Sequence, residues 1–164
     1  MNRDKPFYQH YDEVHGIAVK AVLQFPDHQL DFRPTPEMFT ARELIFHMFS
    51  QERAMLAGCQ RGELVLDDFS SVQADLPAMK TVKDLARYGE QVHAETNQWV
   101  KRCSDAEYER PVKTFFGAVM PPLHLISGGY DHLLHHRGQF YVYLRLVGIT
   151  PVFVFTGEAA AEQP

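Results

Sequence analysis

A chain of 164 residues, 45% hydrophobic and 12% aromatic, carries enough apolar material for one well-packed core and is the size of a single ordinary domain, taken here as 1–164. A formal net charge of −5 and a pI near 6.0, with no Lys/Arg cluster on any one element, give no basic field for a phosphate backbone, so nucleic acid is excluded as a first reading. No stretch approaches the roughly 18 apolar residues of a membrane span, the opening MNRDKPFYQHYDE has no apolar signal-peptide core, and Cys59 and Cys103 lack CxxC spacing. A reducing, cytoplasmic setting without membrane partners is the expectation, with both cysteines buried and unbridged.

Four helices follow in chain order. Phe7, Tyr11, Val14, Ala18, Ala21 and Phe25 recur at alternating spacings of four and three, the seam of a packed helix, and Pro26 ends it because proline lacks the amide donor. Thr40-Ala41-Arg42-Glu43 fits a capping box, so a second helix starts there. It carries Leu44, Met48, Met55 and Cys59 on one row and Ile45, Phe49 and Leu56 on the next. The stretch 63–79 shows apolar beads without a sustained period. It is expected to crawl over the core, to contain a helical turn, and to let the helices on either side run parallel.

Thr81 can cap a third helix with the seam Leu85, Gly89, Val92, Thr96, Trp99, Cys103. Val112, Phe115, Phe116 and Val119 around Gly117 suggest a short two-stranded hairpin. The last helix enters at Pro121-Pro122, runs over 123–147 and stops at Gly148. Gly128, Gly129 and Gly138 within it each cost roughly 1 kcal/mol against alanine, which implies that something approaches its backbone closely. The apolar stretch 149–155 is expected to fold back or enter a dimer contact, because left exposed it would be an adhesive edge. The fold class is thus all-α, a four-helix bundle with a long connection between helices 2 and 3 and a short hairpin before helix 4.

Within the last helix, Tyr130-Asp131-His132-Leu133-Leu134-His135-His136-Arg137-Gly138-Gln139 holds three of the nine histidines. His132 and His136 lie one turn above each other, which is how a single helix supplies two ligands to one metal ion. Such a pair alone is more often ordinary polar packing; it gains weight from a third ligand elsewhere. His47, beside the apolar face of the second helix in line with Leu44, Met48 and Gln51, is the best candidate. Gln51, Glu52 and Asp131 are candidates to accept a ligand's far N–H or to carry a proton. Arg137 could bind an anionic substrate group, although pairing with a carboxylate on a neighbouring helix is the preferred reading. Tyr130 and Tyr143 read as packing residues, and His10, His15, His28, His93 and His124 as surface or seam residues.

Glu43-Leu44-Ile45-Phe46-His47, the run from His132 through Arg137-Gly138-Gln139, and Tyr143-Leu144-Arg145-Leu146-Val147-Gly148 together resemble the DinB/YfiT superfamily over essentially the whole chain. The His-Arg-Gly-Gln run with a histidine four residues upstream is the most specific piece. The resemblance implies an up-down-down-up four-helix bundle, frequently dimeric, that binds a divalent metal through three histidines, which fall here on His47, His132 and His136. It further implies a thiol-dependent transferase or isomerase activity using a low-molecular-weight thiol, while many members have no assigned reaction.

Three neutral imidazoles leave a divalent cation its full charge and an open position, an arrangement suited to catalysis, since structural zinc sites are usually closed by four ligands. Such a cation lowers the pKa of bound water towards about 7 or stabilises a thiolate, so hydrolase and thiol transferase are both open. Nitrogen ligation admits zinc or nickel first, then iron, cobalt or copper. A metal-dependent enzyme, as a homodimer, is the leading reading. A non-catalytic metal-binding stress-response or interaction protein is the alternative.

Overall fold

The computed structural model describes residues 4–159 and is mostly helical, with six helices and a small sheet. Helix α1 (Lys5–Leu23) begins with a proline in its first turn, where the missing donor is not needed. Helix α2 (Ala41–Arg61) starts at the expected capping box: Thr40 Oγ1 accepts from Glu43 N at 3.1 Å and Glu43 Oε2 from Thr40 N at 2.7 Å. It ends at Gly62, whose φ of 88° lies in the left-handed region that a side chain would resist. Thr81 caps the long helix α4 (Val82–Arg102) in the same reciprocal way with Asp84. Helix α6 (Pro122–Leu146) closes through Gly148, with the Ile149 amide donating back to Leu144 O at 2.8 Å.

Helix α2 packs on both α4 and α6, and α1 packs on the same two. The core lies between them: Tyr11, Phe46, Phe49, Leu85, Phe140 and Tyr143 are almost fully buried. Gly89 has no side chain because the Phe49 ring occupies its place; a Cβ there would sit 2.8 Å from it. Among the described residues, no helix is long and apolar enough to cross a membrane.

The all-α expectation needs correction. The segment after α2 contains strand β1 (Glu63–Leu64), helix α3 (Leu66–Val72) and a 3-10 turn (Gln73–Ala78). After α4 come the short helix α5 (Asp105–Glu109) and strands β2 (Val112–Thr114) and β3 (Val119–Met120). Strands β2 and β3 form the expected antiparallel hairpin, turned at Gly117 with φ of 86°. β1 adds to it in parallel, pairing Glu63 with Lys113 and Leu64 with Thr114. A two-residue strand has no sequence period of its own; only its non-local partner makes it a strand. The sheet straps the end of α2 to the loop before α6, and Arg61 holds α3 through Asp68 at 2.6 Å.

The 149–155 tail folds back without forming a strand. Gln24 at the end of α1 accepts from Val152 N at 2.9 Å and donates to Thr150 O at 3.1 Å, and Pro151 and Val152 are buried. Phe153, Val154 and Phe155 stay exposed.

Candidate metal centre

His47 reaches the α2/α6 seam from the second turn of α2, and His132 and His136 meet it from successive turns of α6. One nitrogen from each of the three rings lies within 4.8 Å of the other two. His132 Nε2 and His47 Nε2 are 3.1 Å apart, and the ring centroids are separated by 4.3 to 4.8 Å. Two nitrogens each roughly 2.0–2.1 Å from one cation at a tetrahedral angle stand about 3.3 Å apart, so the spacing fits a shared ion closely. The donor set fits as well, because imidazole nitrogen suits a borderline divalent metal.

The electrostatics keep all three rings neutral. Burial, then the neighbouring His136 and His47, push the His132 imidazole down to about 3. Burial and His136 push His47 down to about 4, and burial lowers His136 against a favourable bond from Gln139. Neutral rings present the lone pairs that a cation needs. Tautomers follow from the outer partners. Gln139 Oε1 sits 2.8 Å from His136 Nδ1, so the proton belongs on Nδ1 and Nε2 is left free. The same amide's Nε2 donates to His135 Nε2 at 3.0 Å, which fixes the amide's orientation. Gln51 Nε2 faces His47 Nδ1 at 3.4 Å; a half-turn of the amide presents Oε1 there instead, which would accept the Nδ1 proton and free His47 Nε2. His132 Nδ1 is buried without a hydrogen bond of ordinary geometry, the Met48 backbone being the polar group beside it.

The DinB superfamily family model matches residues 10–140. The chain belongs to the DinB superfamily. Three crystal structures share the fold. A DinB-like protein from Bacillus subtilis superposes with a TM-score of 0.70 at 17% identity, covering 94% of this chain and 98% of its own. One from Bacillus cereus gives 0.71 at 22% identity, with 90% and 94% covered. A third protein, described as a member of the DinB family, from Exiguobacterium sibiricum, gives 0.66 at 19% identity, with 86% and 91% covered. Among curated proteins, no sequence matches.

Of the other residues singled out in this DinB superfamily chain, Gln51 alone joins the centre. Asp131 is exposed to solvent. His124 is exposed as well, and His135, also exposed, packs edge-on against the His136 ring at 4.8 Å and bonds to Gln139. Arg137 is buried, and among the described residues it makes no ion pair and its Nη1 has no hydrogen-bond partner, so no described carboxylate takes the place expected opposite it. Tyr143 is a packing residue whose hydroxyl donates to Phe39 O at 2.7 Å.

Glu52 points away from His47 into a second cluster. Its Oε2 accepts from the Tyr11 hydroxyl at 2.9 Å, and its Oε1 lies 3.0 Å from His93 Nδ1. His93 Nε2 in turn lies 2.8 Å from Asp12 Oδ1. With a carboxylate on each nitrogen, His93 is an imidazolium: burial opposes the charge, but Glu52 and Asp12 outweigh it and raise its pKa. Burial raises Glu52 in turn, and the His93 bond and charge bring it below the usual carboxylate value. His15 stacks on His93 at 4.2 Å with 7° between the planes, held neutral by burial and the adjacent charge at about 4. His15, Glu52 and His93 could also enclose an ion by distance alone. Stacked rings, however, send their in-plane lone pairs along parallel lines, and both His93 nitrogens already face carboxylates. Protons hold this cluster together. Its signal in the sequence was Glu52 itself, an acid completing the apolar row Ile45, Phe49, Leu56 at spacings of four, three and four.

Two open clefts reach the three-histidine centre. One, about 530 Å³, ends at His47 and Gln51 and is walled by Met55, Leu66, Phe69 and Phe115. The other, about 370 Å³, ends at His136 and Gln139 beside Phe39, with Glu37 at its rim. A third cleft of about 420 Å³, between α2 and α4, is lined by Arg53, Glu95 and Arg102 and touches none of the histidines.

Proposed function

We propose that His47, His132 and His136 hold a divalent cation, zinc or nickel, and that the protein is a metal-dependent enzyme acting on water or a small thiol. The observation that carries this reading is the 3.1 Å approach of two imidazole Nε2 atoms whose rings are both kept neutral. A cation held by three neutral ligands supplies Lewis acidity at full charge. The chain's own groups do the rest. Gln139 orients His136 by accepting its Nδ1 proton, and the Gln51 amide lies against Nδ1 of His47. Among the described residues no carboxylate bonds to the three rings, so none of them quenches the charge. The proton of a thiol or water therefore leaves through solvent or substrate and not through Glu52, whose two oxygens are engaged elsewhere.

In this reading α1, α2, α4 and α6 form one bundle in up-down-down-up order, and two copies associate as a homodimer. Elemental analysis of protein purified without chelator tests the centre. About one metal per chain, lost in His132→Ala, supports it; less than about 0.2 per chain after adding zinc or nickel rejects it. Screens for thiol conjugation and ester hydrolysis, each with His136→Ala as control, then separate an enzyme from a metal-binding protein without turnover.

A further inference from the structure

The cleft that ends at His47 is built from three separate elements, α2, α3 and the end of β2, and all three turn apolar side chains into it. Leu66 is 63% exposed and Phe115 48% exposed. Phe69 and Phe115 meet edge to face at 5.8 Å, so the two rings hold each other at the rim and do not collapse onto the cleft floor. None of the lining residues carries a charge; the polar ones include Gln51 and Ser70. A volume near 530 Å³ lies in the range of small-molecule sites.

We propose that this cleft binds the uncharged aromatic or branched aliphatic part of the substrate while its reacting end lies at the three histidines, with Phe69 and Phe115 setting that preference. The proposal rests on the reading of His47, His132 and His136 as the cation site. A carboxylate or phosphate entering here would lose water and meet no Lys or Arg. Arg137, the basic residue nearest in sequence to the ligands, lines neither cleft. The second cleft is a poorer match for the same group, because Glu37 sits at its rim.

The test uses the full chain loaded with Co(II) and three thiol probes: 2-mercaptoethanol, phenylmethanethiol and 4-(mercaptomethyl)benzoic acid. Binding is read from the thiolate-to-cobalt charge-transfer absorbance. Phenylmethanethiol binds about tenfold or more tighter than 2-mercaptoethanol, as expected for burying a ring, and the carboxylated probe loses most of that gain. Phe115→Ser and, separately, Phe69→Ser bring phenylmethanethiol to the level of 2-mercaptoethanol. Unchanged 2-mercaptoethanol affinity in these variants shows that the fold and the metal are intact. Equal affinities for the three thiols in the wild type overturn the proposal. So does a ring preference that survives both substitutions. If Phe115→Ser changes the sedimentation of the protein but not its thiol binding, the rim is a contact between copies of the chain, and the proposal falls. Failure to bind Co(II) overturns the cation site as well, whereas bound Co(II) that shows no absorbance with any thiol overturns the proposal and leaves the cation site standing.

Discussion

The two histidine clusters use the same side chain for opposite purposes, and their partners decide which. His47, His132 and His136 have no carboxylate against them; burial and mutual repulsion hold them neutral, with nitrogens facing one another and glutamine amides behind two of them. His93 is bracketed by Glu52 and Asp12 and stays charged, with the neutral His15 stacked on it. The first cluster leaves unused lone pairs at a half-exposed seam with clefts on two sides. The second spends every ring nitrogen of His93 on tying α1, α2 and α4 together. A buried group of histidines is therefore read by what lies on the far nitrogens. Here glutamine amides lie behind His47 and His136, whereas carboxylates take both nitrogens of His93 and favour its proton.

Substitution at the centres of the two clusters should separate metal affinity from stability. His132→Ala removes the most buried of the three ligands and should weaken zinc or nickel binding by about two orders of magnitude or more, measured by competition with a chelating dye. It should also abolish the rise in melting temperature that added metal gives the wild type. Glu52→Ala should do the reverse. Leaving His93 buried beside a cavity costs about 3–5 kcal/mol, or about 10 °C in melting temperature for a domain of this size. Metal stoichiometry should stay at the wild-type value. A Glu52→Ala protein that loses its metal but keeps its stability would merge the two clusters into one site and undo the distinction.

The pH dependence of stability sharpens the same contrast. His93 has a raised folded pKa, so its contribution is fully present below the unfolded value of about 6.5 and is lost as pH rises through the folded value. Glu52 has a lowered one, so its contribution is present above the unfolded value of about 4.3 and is lost as pH falls through the folded value. His15 stays neutral down to about 4, whereas the unfolded chain takes up that proton from about 6.5 downward, so stability also falls with acid across that interval. Urea midpoints from pH 4 to 9 should pass through a maximum near neutrality. His15→Leu should flatten the acid limb by roughly one proton's worth of slope, about 1.4 kcal/mol per pH unit, and leave the alkaline limb in place. An acid limb that keeps its full slope in this variant would show that His15 does not titrate in the way the stacking implies.

What could be read from the chain alone was what depends on local spacing. The pair His132 and His136 one turn apart, His47 beside an apolar row, the Thr40 and Glu43 cap and the stop at Gly148 all reappear in place. Features that depend on a distant partner did not show. Glu63–Leu64 becomes a strand only because Lys113 and Thr114 lie alongside. Proximity in sequence groups Glu52 with Gln51 as a partner of the ligands, although at i+5 it lies about 140° round the helix from His47, on the row of Ile45, Phe49 and Leu56, whereas Gln51 at i+4 shares the His47 face. Gly129 does mark a close approach, since a Cβ there would come within 3.3 Å of Met55 Sδ, but Gly128 and Gly138 have open space beside them. Packing between helices decides such cases, and one helix's sequence carries only half of it.

Gln139→Ala carries the smallest expected effect and bears most directly on why the ligand cluster differs from the ion-paired one. Gln139 Oε1 fixes the His136 proton on Nδ1, and its amide N–H is fixed by His135, so the whole unit sets a tautomer without adding charge. Removing it lets His136 rotate and protonate on either nitrogen, which should weaken metal binding by about tenfold, the lower end for an outer partner because Gln139 is exposed. Gln139→Glu puts a carboxylate at the same position and so imitates the Glu52 and His93 arrangement. It should raise the His136 pKa and make metal binding fall off more steeply below neutral pH than in the alanine variant, because a proton would then compete for the ring. Equal pH profiles for the alanine and glutamate variants would show that charge at the far nitrogen does not govern the choice between proton and metal in this fold.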